Sequence, residues 1–324
     1  MSKVTIADVA RVSGCGVGTV SRVLRGDKSV KASTREKILK VIDELHYFPN
    51  INSTRLRQKH SNVIAVLVPI INHPVFAEFV ENIENVANEK GYSILLVSSK
   101  MNVQKENDIL KMIRQKEVDG AIFITHYEHN DDDIKGCPLV SVDRHLNHAV
   151  PFVSSDNYDA TKQAIELFIK NGDKKIGFIG TKPFVKSEVL LREQAYIDVM
   201  NEHGLVVRSM NEVVEHGEEE QLIDKFLTKY PDLDAIFASG NTVTQIVYRK
   251  LHQQGKDMPN NVELIGYDGV FTDWDDTISI SSIQQPIKEM AVAAFEILLK
   301  LIDGQETQQA NIFKTRFIKG NTTR

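Results

Sequence analysis

Cysteine is nearly absent from this sequence, with two in 324 residues, and tryptophan occurs once. Cys15 and Cys137 offer neither a metal-ligand spacing nor a disulfide framework, so both read as reduced structural thiols and no metal or cofactor is expected. No apolar run reaches bilayer length, and the opening MSKVTIADVA has no apolar signal core. The expected location is therefore the cytoplasm, with no membrane partner. The GxSxG, GxxxxGKS/T, HExxH and GxGxxG fingerprints are missing as well; the nearest approach, Gly14-Cys15-Gly16, does not follow a strand. An enzyme is not expected, although spacing alone leaves open a hydrolase with Asp143 and Asp268 as paired carboxylates. There is no low-complexity tract and no short-period repeat.

What the chain does have is charge, unevenly placed. Residues 1–60 hold 12 Lys and Arg against 5 Asp and Glu, whereas the remainder holds 27 against 39. The net charge of -5 conceals this division. A basic end on an acidic body suits a nucleic-acid-binding module joined to something else.

Inside the basic end, the stretch from Val4 to Gly26 reads as two short helices. Thr5 and Asp8 have the capping-box spacing, which predicts a helix from about Ile6 with Ile6, Val9 and Ala10 turned inward. Ser13-Gly14-Cys15 breaks it, Gly14 being free to take the positive φ of a tight interhelical turn. A second helix is expected over Val17 to Leu24, with Val20 and Val23 facing the first. Its other face carries Val17, Gly18, Thr19, Ser21 and Arg22, small or hydrogen-bonding groups suited to a major groove. Ser33 and Glu36 repeat the capping-box spacing and open a third helix with Ile38, Val41, Ile42 and Leu45 as its stripe. A helical hairpin alone is common; three such helices in a basic segment predict a compact helix-turn-helix headpiece.

Tyr47-Phe48-Pro49 ends the third helix. The following NINSTRLR, by composition, is a short flexible linker. From Ser61 onward, apolar runs of strand length alternate with amphipathic helical patterns. Strands are expected near 63–70, 92–97, 120–125, 138–142, 175–179, 235–238 and 263–267, and helices near 74–90, 103–115, 158–170, 189–202, 219–229, 242–254 and 287–302. That alternation predicts doubly wound parallel sheets, and there are enough units for two α/β lobes.

Ligands of open α/β sheets collect beyond the carboxyl ends of the strands. The residues that follow the expected strands are Asn72 and Phe76, Ser98 and Ser99, Thr125 and His126, and Asp143 and Arg144 in the first half. Thr181, Asn241 and Asp268 come from the second. Carboxylates, amides and hydroxyls with an aromatic ring suit a small polyhydroxy ligand.

The segments VTIADVARVSG, TVSRVL, STREK and HYFPN closely resemble the N-terminus of LacI/GalR-type bacterial transcriptional regulators. The resemblance continues in order through VPIINHPVFAEFVENIE, KEVDGAIF, VSVDR, KKIGFIG, LLREQAY, AIFASGN, LIGYDG and SSIQQPIKEM. It implies a headpiece over 1–49, a hinge helix or linker over 50–60, and a periplasmic-binding-protein-like core over 61–324. In that core the chain crosses between lobes, lobe 1 taking about 61–156 and 287–313 and lobe 2 about 157–286 and 314–324. It also implies that residues near 50–57 fold on DNA and that Leu56 wedges into the minor groove. DNA contact is thus expected from Thr5, Gly16, Val17, Gly18, Thr19, Ser21, Arg22, Asn50, Arg55 and Leu56. Effector contact is expected from Asn72, Phe76, His126, Asp143, Arg192, Asn241 and Asp268, with Phe76, Asp143, Arg192 and Asp268 at the family's pocket positions. Arg192 has a rival reading as a solvated helix residue paired with Glu188 or Glu193, and Asp268 as the cap of a short helix near Val270. His126 and Trp274 are either pocket-mouth residues or ordinary packing.

Two departures bear on specificity. Ser239-Gly240-Asn241 stands where many members have Asn-Asp, so a usual ligand contact is absent or passes to Asn241. Val17-Gly18 occupies the base-reading pair, so the operator should differ from those of members with larger residues there. The implied function is a sequence-specific repressor of a carbohydrate operon, binding pseudo-palindromic double-stranded operator DNA as a homodimer and switched by a sugar or sugar phosphate. A nucleobase or partner-protein effector, or an activator role, stays open.

Overall fold

A computed structural model describes residues 4–24, 26–47, 60–100, 102–125, 127–183, 186–214, 217–269 and 279–324. The chain divides into two compact units, residues 1–61 and 62–324.

The first unit contains α1 (Ile6–Ser13), α2 (Val17–Leu24) and α3 (Ala32–Glu44). The Thr5–Asp8 capping box forms in full, and Gly14 closes α1 at φ 62° with its N–H on the carbonyls of Ala10 and Arg11. Val9, Ala10, Val20, Val23, Ile38 and Val41 are the buried core. Ile6, Ile42 and Leu45 pack at its margin. The expected capping box at Ser33 is not there. α3 starts at Ala32 behind Lys31, which makes no side-chain cap, so Ser33 already lies inside the first turn.

The second unit runs β1 (Val63–Val68), α4 (Pro74–Glu89), β2 (Ser93–Ser98), α5 (Val103–Arg114), β3 (Gly120–Phe123), α6 (Asp131–Ile134), β4 (Leu139–Val142) and β5 (Phe152–Ser155). It continues through α7 (Asn157–Lys170), β6 (Ile176–Thr181), α8 (Leu190–Glu202), β7 (Ser209–Glu212), α9 (Glu219–Lys229), β8 (Ala235–Ala238), α10 (Asn241–Gln253) and β9 (Glu263–Asp268). β10 (Ser281–Gln284), α11 (Ile287–Ile302), β11 (Ala310–Phe313) and β12 (Arg316–Ile318) complete it. Two six-stranded sheets result, ordered β11-β5-β4-β3-β1-β2 and β12-β10-β9-β8-β6-β7. All pairings are parallel except β10 with β12. β1 (VIAVLV) and β8 (AIFA) are continuous apolar runs because parallel strands are covered on both faces.

The chain passes between the lobes after β5, after β10 and after β11. Asp156 ties the first passage to the third: its N–H donates to Phe313 O at 2.9 Å, and its Oδ1 accepts from Thr315 N at 2.9 Å. α11 lies on the first sheet, where Met290, Phe295 and Leu298 join Ile64, Val66, Phe79, Ile83 and Val140 in one core. Among the described residues no helix is long and apolar enough to cross a membrane.

At the far end of the second sheet, Asp173 and Glu263 are buried together under Arg324. Arg324 Nε lies 2.6 Å from Glu263 Oε1, and its Nη2 bonds Asp173 Oδ1. Burial, then the charge of Glu263, pushes the Asp173 carboxyl up to about 7, Arg324 opposing the rise. The folded state therefore keeps a proton that the unfolded chain, with an ordinary Asp value of about 3.9, has already lost. This group's contribution is fully present below about pH 4 and is lost as pH rises toward 7. In urea unfolding, Asp173→Asn should flatten the decline between about pH 4 and 7, and Arg324→Ala should steepen it. Identical slopes in all three chains would show that Asp173 is ionised throughout.

Candidate functional site

In the first unit α2 has two unlike faces. Val20 and Val23 are buried, while Val17 is 47% exposed and Gly16, Gly18 and Arg22 are exposed. A side chain added at Gly18 would meet nothing within 4 Å, so the residue leaves a gap in the helix surface. Arg22 Nε rests 3.4 Å from Gly18 O, a loose contact that leaves the guanidinium at the surface. Thr19 and Ser21 are half-buried beside it. The face from Gly16 to Arg22 is thus one continuous small-residue surface with a single cation. Thr5 is exposed, but its hydroxyl is engaged in the cap, donating to Asp8 Oδ2 at 2.7 Å. Asn50, Arg55 and Leu56 lie outside the described residues, as do His126 and Trp274.

In the second unit a cleft of about 790 Å³ opens beyond the carboxyl ends of both sheets. Asn72, Phe76, Asp143, Arg192, Asn241 and Asp268 all line it, together with Arg144 and Thr181. Three expected residues do not. Ser98 Oγ turns to Pro69 O at 3.2 Å, Ser99 is buried, and Thr125 donates to the buried carboxylate of Glu106, which His129 Nε2 approaches at 2.6 Å. Past β2 and β3 it is Lys100 and Ile124 that reach the cleft instead.

Arg192 is 3% exposed, which removes its reading as a solvated helix residue. The carboxylates that would have paired with it are occupied elsewhere. Glu188 Oε1 lies 2.8 Å from His145 Nε2, and Glu193 binds Ser209 and Asn211. Arg192 Nε donates instead to Asn157 Oδ1 at 2.6 Å and Nη1 to Ser239 O at 3.3 Å, with Asp268 Oδ1 4.0 Å away. Its carbon Cζ lies 3.5 Å from the centroid of the Tyr267 ring. Among the described residues Nη2 has no protein partner.

The two aspartates differ. Asp143 follows β4 at φ 57°, and its Oδ1 accepts from Ser154 Oγ at 2.6 Å while Oδ2 has no partner among the described residues. Burial raises its carboxyl above the ordinary range; Arg192, then Ser154, draw it back down. Asp268 ends β9 at φ 88°, with Oδ2 accepting from Asn241 N at 3.0 Å and Oδ1 from Gln285 Nε2 at 2.7 Å. Asp268 therefore does act on a helix N-terminus, that of α10; the expected cap of a helix near Val270 lies outside the described residues. Both aspartates hold backbone conformations that cost a non-glycine residue energy, a pattern typical of binding sites. Asn241 is buried, with Oδ1 accepting from Gln245 at 3.0 Å, and Gly240 beside it lines the cleft through its backbone. Phe76 stands half-buried against His73, ring centroids 4.5 Å apart, and supplies an apolar wall. Gln285, Lys100 and Lys182 also line the cleft and were not foreseen.

At the rim the two lobes touch. Glu188 N donates to Asp143 O at 3.0 Å, His145 N to Lys186 O at 3.1 Å, and Ser187 Oγ to Asp143 O at 2.6 Å. The cleft is thus clasped beside one of its own carboxylates.

Comparison with known proteins agrees across the chain. A sequence profile described as periplasmic binding proteins and sugar binding domain of LacI family matches residues 61–322, and one described as bacterial regulatory proteins, lacI family, matches residues 5–50. The ribose operon repressor of Halalkalibacterium halodurans is 30% identical over 301 residues, covering 92% of this chain and 90% of that protein. The catabolite control protein A of Priestia megaterium is 29% identical over 318 residues, 95% of each. A crystal structure of the Lac repressor dimer bound to operator and the anti-inducer ONPF superposes with a TM-score of 0.85 over 99% of both chains at 21% identity, a likeness of fold.

Proposed function

The chain belongs to the LacI family of bacterial regulatory proteins, and from that premise we infer that it is a repressor of a carbohydrate-utilisation operon whose operator affinity is set by a sugar or sugar phosphate. It is a DNA-binding regulator, not an enzyme. The observation that carries the reading is one chain with two chemistries: the exposed Gly16–Arg22 face of a helix-turn-helix, and a cleft lined by Asp143, Arg192 and Asp268. Asp143 Oδ2 accepts ligand hydroxyls, Arg192 Nη2 donates to their oxygens, and Phe76 covers an apolar ring face. The family relatives that are named for ribose and sucrose operons favour a neutral or phosphorylated sugar.

On this reading residues 1–49 form the headpiece, 50–60 the hinge and 61–324 the effector core, and two copies pair in the cytoplasm to grip a pseudo-palindromic site. Arg22 bonds a guanine edge, Val17 meets a thymine methyl, and Leu56 wedges between central base pairs with Asn50 and Arg55 on the backbone. The sugar acts only through its differential affinity for two lobe arrangements, one of which prevents the hinge segments from folding together.

The test is selection from a randomised duplex pool with full-length protein at fixed salt, followed by release with sugars beginning with D-ribose. Recovery of a palindrome that a sugar releases supports the reading; a palindrome that no sugar, sugar phosphate or nucleobase releases removes the effector half of it. On the recovered site Arg22→Ala should cost ~1–3 kcal/mol and relax one base preference. Binding and specificity unchanged by that substitution would take Arg22 off the DNA.

A further inference from the structure

Behind the cleft wall runs a chain of hydrogen bonds through two side chains that do not line it. Arg192 Nε donates to Asn157 Oδ1 at 2.6 Å, Asn157 Nδ2 donates to Ser154 Oγ at 3.0 Å, and Ser154 Oγ donates to Asp143 Oδ1 at 2.6 Å. Asn157 and Ser154 are 1% and 0% exposed, so neither meets a ligand. Asn157 opens α7 immediately after the first passage of the chain between lobes, and Ser154 lies in β5 just before it.

We propose that Asn157 and Ser154 are positioning residues that bind Arg192 of one lobe and Asp143 of the other into a single polarised unit, holding Asp143 as an ionised acceptor with its second oxygen free for the effector. Every donor in the chain points the same way, from guanidinium to carboxylate. A guanidinium has no acceptor, so Asn157 must present its oxygen to Arg192 and its NH₂ to Ser154. The second amide hydrogen goes to Ser155 O at 2.9 Å, which a flipped amide would face with oxygen. Ser154 has one proton to give. Its other acceptor, Ser155 O, is 3.3 Å away and already takes the Asn157 amide, so the proton goes to Asp143. Bonds in such a chain polarise one another, and each is strongest when both ends keep their charge.

The remaining charged and titratable neighbours of Asp143 do not substitute for this bond. Arg144 sits within the rim clasp and reaches Ser187 Oγ at 3.4 Å. Asp268, from β9, is engaged with Asn241 and Gln285, and the Tyr267 hydroxyl pairs with Ser155 Oγ at 3.1 Å. His145 and Glu188 pair with each other at 2.8 Å. Among the described residues Ser154 is the only side chain hydrogen-bonded to the Asp143 carboxylate. A relative rotation of the lobes must stretch this chain where they join.

The proposal rests on the cleft being the effector site, but its test needs no effector and so fails or succeeds separately. In full-length protein labelled with ¹³C at aspartate carboxyls, the Asp143 signal is assigned by its loss in Asp143→Asn, and its titration is followed. The midpoint should rise by about one pH unit in Ser154→Ala, because a hydrogen bond to the charged form is lost. It should rise by a smaller resolvable amount in Asn157→Ala, where the Ser154 bond stays but loses the donor that polarises it. The double variant should move no further than Ser154→Ala alone, since the two act in series. Ser154→Thr, which keeps the hydroxyl, should restore the parent midpoint. A merely structural role lowers the unfolding midpoint without moving this titration. A folded Ser154→Ala chain whose Asp143 titrates like the parent, or shifts that add in the double variant, overturns the proposal; if Ser154→Ala does not fold, a parent-like midpoint in Asn157→Ala does the same.

Discussion

Replacing Arg192 with methionine should abolish release of DNA by sugar and destabilise the two-lobed unit by ~3–5 kcal/mol, the usual cost of removing one partner from a buried charged network. Methionine roughly matches the side chain in length, so a void is not the main effect. What is lost is the only donor to Asn157 Oδ1 among the described residues, the bond to Ser239 O, and the cation over Tyr267. Asp143 and Asp268 then face each other across the cleft without the guanidinium between them, and like charges resist the closed arrangement. Arg192→Lys should recover part of the stability and little of the response, because an ammonium cannot bond Asn157, Ser239 and a ligand in one plane. Urea unfolding and sugar-dependent operator release measure the two effects. A methionine variant with the parent's unfolding midpoint would mean that the buried guanidinium is compensated by groups other than those named.

Ile38→Ala should abolish operator binding although no side chain on α3 is assigned to DNA. Ile38 is 0% exposed at the centre of a core of six buried residues. Truncating a buried isoleucine costs ~2–5 kcal/mol. A core this small rarely supplies more than ~3–5 kcal/mol in all, so the loss leaves the headpiece largely unfolded. Ile38→Val, at ~0.5–1.5 kcal/mol, should leave most molecules able to bind. Because residues 62–324 form a compact unit of their own, sugar binding should survive in both variants. Anisotropy of labelled operator and sugar-induced thermal shifts separate the outcomes. Normal operator affinity in the alanine variant would show that α3 is dispensable for holding α2.

Much of this architecture can be read from local pattern, and the failures share a cause. Strands β1, β3 and β8 stand out because parallel strands covered on both faces must be apolar throughout. β5 (FVSS), β7 (SMNE) and β10 (SSIQ) do not stand out, since half or more of each is polar. The serines of β5 and β10 are buried and that of β7 half-buried, on hydrogen bonds that only the tertiary fold supplies, such as Ser281 Oγ with Thr323 Oγ1 at 2.7 Å. Those omissions propagated to the site. Reading the residue after each strand finds Asn72, Asp143, Thr181 and Asp268, but Gln285 follows β10, and the Ser154–Asn157 relay ends β5 and begins α7. The same rule fails in the other direction at Ser98, which turns to the Pro69 carbonyl, at buried Ser99, and at Thr125, whose hydroxyl the buried Glu106 recruits inward. The positive φ of Asp143 and Asp268 gives only a weak local signal, since aspartate is tolerated there but far less diagnostic than glycine.

The placement of α11 and β11 on the first sheet has a consequence for biosynthesis. Strands β1 to β5 leave the ribosome before the second lobe. Yet α11, which joins α4 in covering one face of their sheet, and the strand that closes its β5 edge are encoded after all of the second lobe's strands but β12. At ordinary translation speeds that gap of roughly 130 residues lasts on the order of ten seconds. Throughout it, Ile64, Val66, Ile122 and Val140 lack the partners Met290, Phe295 and Leu298 that α11 will bring. A premature stop after β10 should consequently release an aggregation-prone chain, with an open sheet edge and an apolar face that α4 alone covers.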